Sequence, residues 1–264
     1  MTFTSYDATL GGVVIDVVAI RAAVGSDKTG GVLARALNAA TGPWTTVRGA
    51  GAVVITVSSL PIEDYEFTPG VANFYKMTYS GGSQSDNVTP NLAGPWLMNL
   101  RYPFLNQQVS ISDASDITRP ARGAAFSVIA RSGYVGIATA RGARSYTLTA
   151  YTDTDTGNMA LQALLSTGDT VLVQVPPDYL VPVLGGYFTV GDSVETLNGV
   201  PWPLRWTQIP LTEVEPPDSS VVPITCTWET VTNAYTTWSA VVSALGTWDD
   251  VVELIGSPSD VIVS

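Results

Sequence analysis

The chain has 264 residues, of which 45% are hydrophobic and 13% charged, with 24 Gly, 17 Pro, one Cys and no His. That length sustains two ordinary domains with cores of their own plus a further segment, and the Gly, Pro, Thr and Val usage predicts β-structure with many turns. Without histidine, and with Cys226 alone, the chain can build neither an internal disulfide nor the usual histidine–cysteine metal site, and a serine or cysteine nucleophile would lack its histidine base.

The net charge of −11 is unevenly distributed. Residues 1–112 carry six bases and seven acids, residues 113–205 six and eight, and residues 206–264 none and eight. So acidic a C-terminal segment repels phosphate backbones and anionic lipid, which argues against nucleic-acid and membrane partners. The N-terminus shows neither the basic nor the apolar region of an export signal, and its most apolar run, Gly11 to Ile20, is interrupted by Asp16.

In chain order, Gly12–Ile20, Val32–Leu37, Ala52–Val57 and Asn73–Tyr79 read as short strands. Turn-formers separate them at Ser26–Gly31, Thr41–Pro43 and Ser80–Ser83. The spacing predicts a β-sandwich-like domain over 1–112 with Trp44, Tyr65 and Tyr75 as its large core residues. A boundary falls in the polar stretch from Asn106 to Ser115. The second domain, 113–215, is again sandwich-like, with strands at Phe126–Ala130, Tyr134–Ala138, Ser145–Tyr151, Val171–Val175, Tyr187–Val190 and Leu204–Leu211. One inserted helix near 157–167 follows the polar Thr152–Thr156 and closes at Gly168. Pro201, Pro203 and Pro210 bracket the last strand, and Glu215–Ser220 is a stiff polar linker.

Within residues 216–264 the phrase Thr-Trp-x-x-Val occurs three times at ten-residue steps: Thr227-Trp228…Val231, Thr237-Trp238…Val241 and Thr247-Trp248…Val251. Val241, Val242 and Leu245, then Val251, Val252 and Ile255, follow their Trp at helical spacing, with each Thr placed as an N-cap. A ten-residue step turns successive Trp by about 80° around a helix, so the repeat predicts separate short helices. Such pieces do not hold alone in water and must dock. Trp228, Trp238, Trp248, Val241, Val251, Leu245 and Ile255 are therefore interface candidates. Cys226 precedes the first Thr cap at hydrophobic-staple spacing from Val231 and reads as a small apolar residue.

Few residues suggest chemistry. Asp153-Thr154-Asp155-Thr156-Gly157 resembles the start of a calcium loop, but its twelfth position is Leu164, so helix capping is the better reading. Glu63, Asp64 and Glu66 could in principle supply a glycoside-cleaving acid/base pair; carboxylates in a solvated turn are the ordinary alternative. Arg119, Arg122, Arg131, Arg141 and Arg144 are concentrated in the second domain. Either they form surface ion pairs, or Arg141 and Arg144 meet acidic partners across a subunit interface, the acidic tail of a neighbouring copy being one match. The seven Trp and eleven Tyr suit core and interface duty, with an exposed sugar-binding platform as the rival. No cofactor is implied.

Several phrases, in their order along the chain, resemble minor tail proteins of siphoviruses that infect actinobacteria. They are Val47-Arg48-Gly49, Asp64-Tyr65-Glu66, Trp96-Leu97, Asn106-Gln107, Leu164-Leu165…Gly168, Val171-Leu172-Val173, Gly186-Tyr187…Val190-Gly191-Asp192, Arg205-Trp206…Pro210-Leu211…Glu213-Val214…Pro216-Pro217 and the Thr-Trp-x-x-Val repeat. The resemblance implies an immunoglobulin or fibronectin-like first domain and a non-enzymatic part of the virion at or near the tail tip, made in the host cytoplasm. Other tail proteins would be its partners, in a homo-oligomer of three-fold or six-fold symmetry. The alternative is a carbohydrate-binding module for host cell-wall glycan.

Overall fold

A computed structural model of the protein describes residues 2–56, 59, 61–127, 134–138, 140–197, 204–218, 221 and 237–245, with the backbone path alone at 125–127, 134–138, 197, 238, 241 and 244–245. The fold is mainly β, in several antiparallel sheets. Two units emerge: residues 1–93, 98–106 and 217–264 form the first, and residues 94–97 and 107–216 the second.

In the first unit, β1 (Thr4–Asp7) pairs with β2 (Gly12–Ile15). The apolar run expected as one strand to Ile20 changes form at Asp16. Its carboxylate accepts a hydrogen bond from the Ala19 N–H at 2.9 Å and caps α1 (Val17–Val24), which buries Val17 and Ile20. Val13, Ile15, Val17 and Ile20 suit either period, so the cap decides where alternation gives way to the helical repeat. Gly25 closes α1 at φ +77° with its N–H on the Arg21 carbonyl, a left-handed position that favours glycine.

β3 (Lys28–Leu37) begins inside the expected Ser26–Gly31 turn. It pairs with β4 (Thr45–Thr46), β5 (Val53–Ile55) and β7 (Asn73–Tyr79); β6 (Ile62–Asp64) instead joins β2, making a three-stranded sheet β1-β2-β6. β7 turns through Ser80-Gly81 into β8 (Gly82–Val88), a polar strand without the apolar alternation that would betray it. Tyr65 and Tyr75 are buried as expected, but Trp44 is only half-buried, with the Lys76 ammonium 5.7 Å from its ring centre. A ring that holds a cation at its face keeps that face near water.

Asn106, at the start of the polar stretch Asn106–Ser115 expected as a boundary, follows the short 3₁₀ turn Pro103–Leu105 and is buried, as is Asn99 at the end of β9 (Trp96–Asn99). The Asn106 carbonyl oxygen accepts from the Asn99 N–H, and its amide donates to the Leu10 carbonyl; Asn99 accepts from the N–H groups of Arg101 and Tyr102. These amides replace ladder bonds where the chain turns.

The second unit contains an eight-stranded sheet. Its strands are β9, β10 (Gln107–Gln108), β11 (Ser110–Ala114), β14 (Ser145–Thr152), β15 (Val171–Gln174), β16 (Gly186–Val190), β17 (Val194–Leu197) and β18 (Arg205–Glu213), in the order β10-β9-β15-β16-β18-β14-β11, with β17 also on β18. β12 (Gly123–Ser127) and β13 (Tyr134–Ala138) form a separate hairpin. The helix α2 (Asp155–Ser166) begins two residues before the expected position, capped by Thr154, whose hydroxyl accepts from the Gly157 N–H. Leu161 and Leu164 are buried, as are Tyr146, Leu148, Ala150, Phe188, Ile209 and Leu211 of the sheet. Pro210 lies inside β18 rather than at its edge, at the point where the β16 pairing ends at Val190 opposite Leu211 and the β17 pairing starts at Val194 opposite Gln208. A residue without an N–H fits at that change of partner.

Replacing Asp16 by Ala should lower stability by about 1 kcal/mol, whereas D16N should retain most of it; urea unfolding followed by circular dichroism measures both, and an unchanged D16A would remove the cap from this account.

Candidate functional site

β6 and the two residues that follow it carry Glu63, Asp64, Tyr65 and Glu66, and the structure gives each carboxylate a different neighbour. Asp64, 2% exposed, accepts from the Arg35 guanidinium at 2.5 Å, from the Tyr75 hydroxyl at 2.8 Å and from the Glu66 N–H at 2.9 Å. Arg35 and Tyr75 stand directly opposite each other on β3 and β7, so this contact ties the β1-β2-β6 sheet to the sheet containing β3 and β7. Burial, followed by the charge of Asp64, pushes the Tyr75 hydroxyl well above its ordinary range and keeps it a neutral donor.

Glu63 accepts from the Tyr65 hydroxyl, and burial raises its pKa despite that bond. Glu66 pairs with Arg48 at 2.7 Å. The same guanidinium donates to the carbonyls of Pro217 at 3.1 Å and Asp218 at 2.5 Å, so Arg48 clasps the backbone that leads into the C-terminal segment. The three acids considered as a catalytic set are therefore anchored as a sheet tie, a tyrosine acceptor and a clasp partner. Two phrases that read as sequence tags, Val47-Arg48-Gly49 and Asp64-Tyr65-Glu66, meet through the Arg48–Glu66 pair.

In the second unit, Arg205 binds Asp155 at 2.5 Å and Glu195 at 3.1 Å, joining the first turn of α2 to the sheet. Asn158 and Thr207 beside this pair are buried, and the Asn158 Oδ1 and Thr207 Oγ1 atoms have no hydrogen-bond partner among the described residues. A polar cavity of about 120 Å³ is lined by residues including Gln107, Ser110, Thr152, Asp153 and Leu161. It has room for a few water molecules at about 30 Å³ each. Asp153 is the one carboxylate among its described lining residues, which also include Tyr151, so the lining offers no pair of carboxylates.

The expected interface residues fall into three sets. Arg144 makes a two-pronged pair with Glu213 of its own chain, and that hydrogen bonding lowers the Glu213 pKa from 4.5 to about 2, with Arg119 adding a smaller attraction. Arg141 is exposed. Trp238, Val241 and Leu245 lie on α3 (Trp238–Leu245), where the Thr237 hydroxyl accepts from the Ala240 N–H at 3.2 Å, and Val242 of this helix is 53% exposed. Trp228, Trp248, Val251, Ile255 and Cys226 lie outside the described residues. Sequence reasoning missed the roles of Arg35 and Arg48, since an isolated arginine carries no local signal of the carboxylate it will face. Among the described residues no group of acidic or cysteine side chains could hold a metal ion, and no helix is long and apolar enough to cross a membrane. No family model and no curated protein matches the chain.

Replacing Asp64 by Ala should cost about 3–5 kcal/mol, because it strands the Arg35 charge away from water; a loss under about 1 kcal/mol in urea titration would show that the pair is not the tie described. Glu63 behaves oppositely. A carboxyl whose folded pKa is raised loses stability as pH rises through that value. E63Q, which retains an acceptor for Tyr65, should raise the melting temperature at pH 7, with the difference from wild type shrinking toward pH 4; equal melting curves at pH 7 would contradict this.

Proposed function

We propose that the chain is a structural virion protein, a minor tail protein at or near the tail tip of a long-tailed phage of actinobacteria, acting in tail assembly and host attachment. The observation that carries this reading is the C-terminal segment. It carries acids and no bases and repeats Thr-Trp-x-x-Val; one copy is a short capped helix, and its stem is clasped at Arg48. A segment of short amphipathic helices on a fixed stem is suited to docking on a neighbour, with tryptophans as anchors. Support also comes from the resemblance in phrase order. In this reading the first unit is an immunoglobulin or fibronectin-like sandwich, the second a sandwich with an inserted helix, and the subunits surround the tail axis with three-fold or six-fold symmetry.

A second reading, a carbohydrate-binding module, is favoured by one feature: Tyr151 and Trp206 pair across β14 and β18, their ring centres 5.8 Å apart, and Tyr151 remains 37% exposed. Aromatic faces of this kind stack on sugar rings.

Cryo-electron microscopy of intact particles, together with peptide mass spectrometry of their tails, should find the chain in symmetric copies at the tail end. A stop at Pro217 should leave it out of the particle. Absence of the wild-type chain from purified particles, with binding of host cell-wall polysaccharide that Tyr151→Ala abolishes, would move the assignment to the sugar-binding module.

A further inference from the structure

Where β14 ends, the sheet of the second unit brings an aromatic surface and a polar cavity side by side. Tyr151 and Trp206 stand opposite each other in the β14–β18 register, with Ser110 of β11 opposite Tyr151 and Thr196 of β17 opposite Trp206. Directly opposite residues share a face of a sheet, so two aromatic rings flanked by two hydroxyls form a row across four strands. Ser110, Tyr151 and Thr196 are exposed, and the two rings are inclined at 43°. Tyr151 and Ser110 also belong to the wall of the cavity, which gives the row and the cavity a common border.

A pyranose has polarised C–H groups on its faces and hydroxyls around its rim. The negative face of an aromatic ring attracts the former, and amides, hydroxyls and carboxylates satisfy the latter. Both kinds of partner are present here. The cavity wall carries the Gln107 amide, the Ser110 and Thr152 hydroxyls and the Asp153 carboxylate, with no base among its described residues. The Thr152 Oγ1 is buried with no hydrogen-bond partner among the described residues, as is the Trp206 indole nitrogen. Burial penalises such groups until a ligand or water meets them. At about 120 Å³ the cavity is smaller than the about 300–1,000 Å³ of sites that enclose a whole small ligand, so it admits one hydroxyl-bearing edge of a ring whose face rests on Tyr151. A carboxylate without a base also selects by charge, since it repels an anionic sugar.

We propose that Tyr151, Trp206 and the cavity bounded by Gln107, Ser110, Thr152 and Asp153 form a binding site for an uncharged pyranose unit of a polysaccharide, the ring stacked on Tyr151 and its hydroxyl edge held in the cavity. The inference rests on the sugar-binding reading of the Tyr151–Trp206 pair and adds to it the ligand class and the residues that select it. The tail assignment is read on particles and is independent of it.

Affinity electrophoresis of the full-length chain through gels containing galactan, mannan, glucan or polygalacturonate tests the site. At least one neutral polymer should retard the wild type, and polygalacturonate should not. T152V replaces a buried, unpartnered hydroxyl with a methyl of the same shape, so its melting temperature should hold or rise while its affinity falls about three- to tenfold. D153N should bind about tenfold more weakly, and Y151A should not bind; matching circular dichroism spectra would show that the variants are folded. A wild type that no neutral polymer retards would overturn the sugar-binding reading and the site with it. Retardation by polygalacturonate alone would overturn the ligand class. Binding that Y151A loses but T152V and D153N retain at full strength would overturn the cavity's part and leave the aromatic pair as a sugar contact.

Discussion

The first unit depends on one buried charge. Asp64 sits at the end of β6, and its carboxylate takes a guanidinium from β3 and a hydroxyl from β7, which makes it a buried polar link between two sheets. An ion pair so far from water contributes less through net attraction than through the penalty for every arrangement that separates its members. It therefore acts chiefly on specificity: the face of β3 that carries Arg35 must turn toward β6, and a one-residue slip in either strand would leave a charge buried alone. Asp86 does comparable work at the far side, where its carboxylate accepts from the Phe3 and Thr4 N–H groups and so fixes β1 against β8.

The Arg48 clasp follows from that arrangement. Glu66 is two residues beyond Asp64, and its N–H is bonded to the Asp64 carboxylate, so the tie that aligns the sheets also positions the acid that orients Arg48. From there the guanidinium reaches backbone carbonyls at residues 217 and 218, which depends on backbone position rather than on side-chain identity. The start of the C-terminal segment is thus set by the core of the first unit, although the two are far apart in sequence.

In the second unit charge is used at the surface and apolar packing inside. The β14–β18 ladder runs unbroken from Ser145 opposite Thr212 to Thr152 opposite Arg205; its inward residues are buried, as are Leu161 and Leu164 of α2, which packs against β14. Arg205 and Arg144 sit near opposite ends of this ladder, each paired with acids of neighbouring elements. Exposed pairs of this kind add little stability, but they orient helix and strand ends.

Much of this was legible in the chain itself wherever pattern and local chemistry coincide. The alternation of Asn73–Tyr79, the apolar Val171–Val175 run, the Thr154 cap before the helical spacing of Leu161 and Leu164 and the Thr237 cap before Trp238 are short-range signals, decided within a few residues. β8 and the buried Asn99 and Asn106 were not legible, because polar residues at those positions answer to partners distant in sequence. Trp44 misled for the converse reason: its size suggested the core, whereas the structure leaves it half-buried with Lys76, on β7 beyond β3, at its ring. The sequence by itself determined a β-rich chain with one capped helix in its second half and an acidic, repetitive C-terminus, since periodicity, capping and charge are local properties. Only the tertiary structure decided that Glu63, Asp64 and Glu66 serve as acceptors for Tyr65, Arg35 and Arg48, because a carboxylate's role is set by what faces it.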